Sequence, residues 1–106
     1  MLSFHQKNGD SLVRLEVPSL SWPNADCLGK QLLSLADSPD SKSLLLDFSN
    51  VEFVTGAGLG KLVSLHTRVR ANGRRLAFFN VSPHVLEVFG VTGLMRVFDV
   101  RGCTAI

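Results

Sequence analysis

A chain of 106 residues is the size of one domain, and residues 1–106 read as a single unit around one hydrophobic core. Hydrophobic residues at 45% and charged residues at 19% exclude a disordered chain, and burial of ~65% of the unfolded surface supports a modest core without metal or disulfide staples. The net charge is +2, with eleven Lys and Arg spread along the chain, which argues against a dedicated nucleic-acid surface.

The first turn signal is Asn8-Gly9, since both central positions of a tight hairpin turn need positive φ. Leu2 and Phe4 precede it. After it, Val13, Leu15 and Val17 alternate with Arg14 and Glu16, the pattern of a half-exposed antiparallel strand ending at Pro18. Asn24 to Asp37 reads as a helix capped by Asn24, with Cys27 or Leu28, Gln31 or Leu32, and Leu35 along one face, and residues 38–41 end it. Leu44 to Phe48 is an apolar run too short for a helix and suits a strand covered on both faces.

Thr55 to Asn72 is the second predicted helix, with Leu59, Leu62, Val63, His66 and Val69 at helical spacing and Gly73 able to take the left-handed position at its end. Arg75 to Val81 is a buried strand. Ser82 as N-cap and Pro83 at the first helical position open a third helix, whose apolar side is Val85, Leu86, Val88 and Phe89. Val97 to Val100 is a last strand. The order β-β-α-β-α-β-α-β predicts an α/β fold: a mixed sheet of four to five strands, an opening β-hairpin and three packed helices. Leu45, Phe48, Leu59, Leu62, Leu76, Phe78 and Val97 are expected in its core.

Cys27 and Cys103 lie far apart with no Cys or His at metal-ligand spacing, and read as reduced thiols, with a single disulfide as the alternative. The first residues lack the apolar core of a signal peptide, and no run approaches the ~18 apolar residues that span a bilayer. A cytoplasmic domain with no direct membrane insertion and no cofactor is the expectation.

The stretch from Leu44 through Asp47, Val51, Glu52, Phe53 and Thr55 to Gly60 resembles the signature of STAS domains. In that family a buried strand ends in an aspartate, a short loop carries an apolar, a polar and an aromatic residue, and the next helix opens on an acid, two hydroxyl residues and glycine. Arg70 to Leu76, Asn80 to Pro83 and Val88 to Phe98 resemble the family's later elements, in order and at the right spacing. The usual C-terminal helix of the family is expected to be missing or truncated, because only residues 102–106 follow the last strand.

The resemblance implies an anti-sigma factor antagonist, a regulatory binding module and not an enzyme. Its partner would be an anti-sigma factor and serine kinase of the histidine-kinase-like ATPase type. Carried over by position, the partner surface comprises Asn50, Glu52, Thr55, Gly56, Ala57, Gly58 and Lys61. In switch-type antagonists the hydroxyl residue before the glycine is phosphorylated; here that residue is Ala57, which has no oxygen, so no phosphorylation is expected there. Gly56 and Thr55 stand where the other hydroxyl and the acid would be, and Thr55 is the only substitute acceptor. A subunit of a lipid or anion transport complex, a homodimer or a scaffold member of a larger STAS assembly are the other readings.

Bland alternatives exist for each residue. Thr55 is most simply an N-cap, its hydroxyl accepting from the amide of Ala57 or Gly58. The small residues at 56–60 do not form a phosphate-binding loop, because no Gly-Lys-Ser/Thr follows. Asp47 and Glu52 have no nucleophile or base arranged beside them. His66 reads as a helix-packing histidine, and Trp22 as a packed loop anchor.

Overall fold

The computed structural model describes residues 2–7, 10–20, 24–37 and 42–103. The Asn8-Gly9 turn, Trp22, the helix stop at 38–41 and residues 104–106 lie outside them. The elements run β1 (Leu2–Lys7), β2 (Asp10–Leu15), β3 (Ser19–Leu20), α1 (Asn24–Ala36), β4 (Ser43–Asp47), β5 (Phe53–Val54), α2 (Gly56–Ala71), β6 (Arg75–Val81), α3 (Pro83–Val91) and β7 (Asp99–Cys103), with a 3-10 turn at Leu94–Arg96 before β7.

Five strands form the main sheet in the order β1-β2-β4-β6-β7. β1 and β2 are antiparallel, with Lys7 opposite Asp10 at the hairpin end, and the other pairings are parallel. From β2 onward the strand order advances in one direction only. Right-handed crossovers that all step the same way lay their helices on the same face. Leu28, Leu32 and Ala36 of α1, Leu62, Leu65 and Val69 of α2, and Val85 and Phe89 of α3 accordingly share one core cluster with Val13, Leu15, Leu44, Leu46, Leu76 and Phe78 of the sheet.

The second face of the sheet is therefore not covered by these helices, which corrects the expectation of a strand buried on both sides. Leu45 and Phe79 are half-buried and Leu12 is exposed on that face. The expected core residues Phe48, Leu62, Leu76 and Phe78 are buried. Leu59 is only partly buried, because the inward line of α2 is Gly58, Leu62, Leu65 and Val69, which also leaves Val63 exposed. On α1 the inward residues are Leu28, Leu32 and Ala36, while Cys27 is an exposed free thiol.

The largest correction concerns the last strand. Gly93 takes φ 79, and the amides of Val97 and Phe98 both donate to the Leu94 carbonyl, at 3.0 and 2.8 Å. These bonds hold Val97 in helical conformation and delay the strand to Asp99. The inward residue thus becomes Phe98, 4% exposed, while Val97 is 47% exposed. Phe98 stacks on Phe78 at 4.7 Å and meets Phe89 edge-on at 5.3 Å, and Phe48 meets Phe78 at 5.3 Å. The 3-10 turn and the two-residue pair β3–β5 are additions to the predicted pattern. No helix among the described residues is long and apolar enough to cross a membrane.

Candidate functional site

The strand β4 delivers the chain to the carboxyl edge of the sheet, where Asp47 is nearly buried. Its Oδ1 accepts from the Ser49 amide at 2.9 Å and from the Asn80 side-chain amide at 3.2 Å, and its Oδ2 accepts from Arg14 Nε at 3.2 Å. Asn80 sits at φ 55, a left-handed position that Asn tolerates better than most residues. Burial, the largest influence on the Asp47 carboxyl, favours its neutral form. The Ser49 amide, then Asn80, the Ser49 side chain and Arg14, outweigh it, so its pKa lies below the ordinary value. These contacts tie β2, β4, β6 and the following loop together, and they make Asp47 a structural latch for the site.

The loop after Asp47 returns through Val51, which is buried, and the Glu52 amide donates to the Pro18 carbonyl at 2.7 Å. β5 then pairs with β3. In this two-residue strand Val54 points inward and Phe53 outward, leaving the Phe53 ring 44% exposed. Thr55 caps α2 in extended conformation (φ −89, ψ 173), its hydroxyl accepting from the Gly58 amide at 3.4 Å. Asn50, Glu52, Gly56 and Ala57 are exposed beside it. Gly58, by contrast, is buried on the inward line of the helix.

Lys61 lies one turn further along. Its Nζ binds Asp26 Oδ1 of α1 at 2.9 Å, and Lys30 approaches the same carboxylate at 3.6 Å. The hydrogen bond and charge of Lys61, followed by the charge of Lys30, hold the Asp26 carboxyl below its ordinary range. A Cβ on Gly29 would meet Lys61 Cδ at 3.0 Å, so the small residue on α1 makes room for the lysine stem. Asn24, expected as a cap, is the first residue of α1, and its amide donates to the Ser19 carbonyl at 3.0 Å. That bond anchors α1 to β3. α3 packs against β5, so its exposed side, with a shallow cleft bordered by His84, Glu87, Val88, Val91 and Thr92, belongs to the same end of the molecule.

The STAS domain family model matches residues 2–103. The chain belongs to the STAS domain family. A curated relative is BtrV of Bordetella bronchiseptica, named "Putative anti-sigma factor antagonist BtrV". It is 27% identical over 77 residues, which are 73% of this chain and 66% of that protein. Among solved structures, an anti-sigma-factor antagonist (STAS) domain protein from Planctomyces limnophilus superposes with a TM-score of 0.84 at 18% identity, covering 99% of this chain and 91% of that one. The anti-sigma factor antagonist SpoIIAA in its unphosphorylated form gives 0.77 at 17% identity over 95% and 88%. The murine anion transporter Slc26a9 gives 0.79 at 20% identity, covering 92% of this chain but 17% of the transporter. At these identities the structural likeness is one of fold.

Within the STAS frame, the structure brings Asn50, Glu52, Thr55, Gly56 and Ala57 to one exposed end. It places Gly58 on the buried, inward line of α2, which corrects its placement on the surface. It binds Lys61 to α1. Phe53 was absent from the predicted site, although the strand alternation that buries Val54 was enough to point it outward.

Proposed function

We propose that this chain is a regulatory protein-interaction module of the anti-sigma factor antagonist type. It docks on an anti-sigma factor of the histidine-kinase-like ATPase type and carries no catalytic constellation of its own. The observation that carries the reading is the exposed end formed by Phe53, Thr55, Gly56 and Ala57, set beside α3 on a STAS fold. An exposed aromatic ring flanked by small, capped helix residues suits close approach by a partner backbone. Asn50 and Glu52 supply a polar rim. Lys61, paired with Asp26, borders the surface, and buried Gly58 supports it from below.

The module works without the usual phospho-switch. A phosphoryl group adds about −1.5 to −2 charge and breaks a docking surface built for apolar or acidic contacts. Transfer needs an oxygen nucleophile, and exposed Ala57 offers a methyl group. The Thr55 hydroxyl is engaged as the helix cap. The test is incubation of the purified chain with its anti-sigma factor and MgATP, followed by intact-mass and pull-down measurements. The expected result is stable binding with no phosphate gained, and phosphate gained on the Ala57→Ser variant. A phosphate on Thr55 of the natural chain would overturn the switchless reading, and absence of binding would overturn the partner assignment.

A second reading, a STAS subunit of a transport complex, rests on the likeness to a segment of the anion transporter Slc26a9. Co-purification with an ATPase and permease pair in place of an anti-sigma factor would select it.

A further inference from the structure

At the opposite end of α2 lies an open cleft of about 420 Å³, unrelated to the docking surface. Along α2 its lining residues His66 and Arg70 lie about 17 and 22 Å from Thr55. Its cause is a mismatch of register. The first β6–β7 pair is Ala77 with Asp99, so Arg75 and Leu76 begin β6 with no β7 neighbour. The 3-10 turn carries the preceding chain outward as Val97, and the end of α2 closes the third side with His66 and Arg70.

The cleft is lined by four arginines drawn from separate elements: Arg70 of α2, Arg74 of the connecting turn, Arg75 of β6 and Arg101 of β7. One carboxylate, Asp99, faces them and is bound by Arg101 at 2.7 Å. Four guanidinium groups less one carboxylate leave an excess of three positive charges. Arg74 spends one donor on the Ala36 carbonyl at 2.6 Å. Arg70 and Arg75 have no side-chain partner among the described residues. Burial, followed by the charge of Arg70, holds the His66 imidazole below its ordinary pKa, as expected beside an electropositive cleft. Basic residues in a last helical turn stabilise the helix dipole and need no ligand. That accounts for Arg70, and leaves unexplained why Arg75 and Arg101, from two strands, line the same cleft.

We propose that this cleft is a binding site for a small anion carrying two or more phosphate groups. Guanidinium forks match phosphate oxygens two at a time, and four arginines lining one cleft exceed what a single phosphate uses. The volume lies in the range of small-molecule sites, about 300–1,000 Å³. The concave shape selects a compact ligand over a flat macromolecular face.

The test is an NMR titration of the whole chain with sodium pyrophosphate and with inorganic phosphate, at ionic strength fixed with sodium chloride. Saturable shifts are expected at Arg70, Arg74, Arg75, Arg101 and the His66 ring, with pyrophosphate binding more tightly than phosphate. The Arg70→Gln, Arg75→Gln double variant removes two exposed side chains, should keep its circular dichroism spectrum, and should bind pyrophosphate about tenfold or more weakly. A Lys30→Gln, Arg96→Gln double variant removes the same charge elsewhere and should bind as the natural chain does. Non-saturable shifts spread over all basic residues, or equal binding by the two double variants, would overturn the site. Tighter binding of an oligoglutamate peptide at the same residues would overturn the small-anion assignment.

Discussion

Phe98 and Val97 offer a direct test of how the last strand begins. Phe98 is 4% exposed, stacks on Phe78 at 4.7 Å, and touches Phe89 and the His66 ring at 5.3 and 5.7 Å. Phe98→Ala removes the ring from the middle of this cluster, and a buried Phe→Ala change costs ~3–5 kcal/mol. Val97 is 47% exposed, so Val97→Ala loses about half of the ~1.6 kcal/mol that two buried methylene equivalents contribute, or ~0.8 kcal/mol. With a urea m-value of ~1.5 kcal/mol per molar, the midpoints should fall by ~2–3 M for Phe98→Ala and ~0.5 M for Val97→Ala. Phe98→Leu keeps an apolar side chain in place and loses the ring contacts, each ~0.5–1.5 kcal/mol, so it should fall between them. Urea unfolding followed by circular dichroism measures all three. If Val97→Ala shifts the midpoint as far as Phe98→Ala, the strand begins at Val97 and the 3-10 turn does not set its phase.

Asp47 should make stability fall in acid. Its folded pKa lies below the ~3.9 of an unfolded aspartate, so the unfolded chain binds more protons as pH falls, and the contribution present above about pH 4–5 is lost on passing through the folded value. Asp47→Asn should flatten the melting temperature against pH below about pH 5, with a residual slope from Asp26 and Asp37, whose pKa values are also lowered. An acid limb identical to that of the natural chain would count against the latch. Gly29→Ala should raise stability by ~0.5–1 kcal/mol, since helical Gly is that much worse than Ala and the contacting Lys61 carbons belong to a flexible stem. A fall in melting temperature would mean that Lys61 is rigidly seated between α1 and α2.

The order of elements was written in local chemistry. Arg75 to Val81 runs as predicted, Ser82 and Pro83 open α3 with the serine hydroxyl accepting from the Val85 amide at 3.3 Å, and Thr55 caps α2. Each of these depends on residues within a few positions of one another, so a single sequence carries them. The STAS resemblance and the missing hydroxyl at Ala57 were legible for the same reason. Tertiary structure decided the rest. Apolar residues on both sides of β4 do not reveal that three same-direction crossovers lay their helices on one sheet face, and so Leu45 on the other is half-buried. Helical spacing allowed two inward lines on α2, and contact with α1 and the sheet selected the one through Gly58, Leu62, Leu65 and Val69. The distant partners of Asp47 are Arg14 and Asn80, both 33 residues away, and the four arginines line one cleft where β6 starts ahead of β7. Strand pairing brings such groups together over distances at which no sequence pattern couples them. Local periodicity names the elements, whereas register and packing decide which of their residues meet.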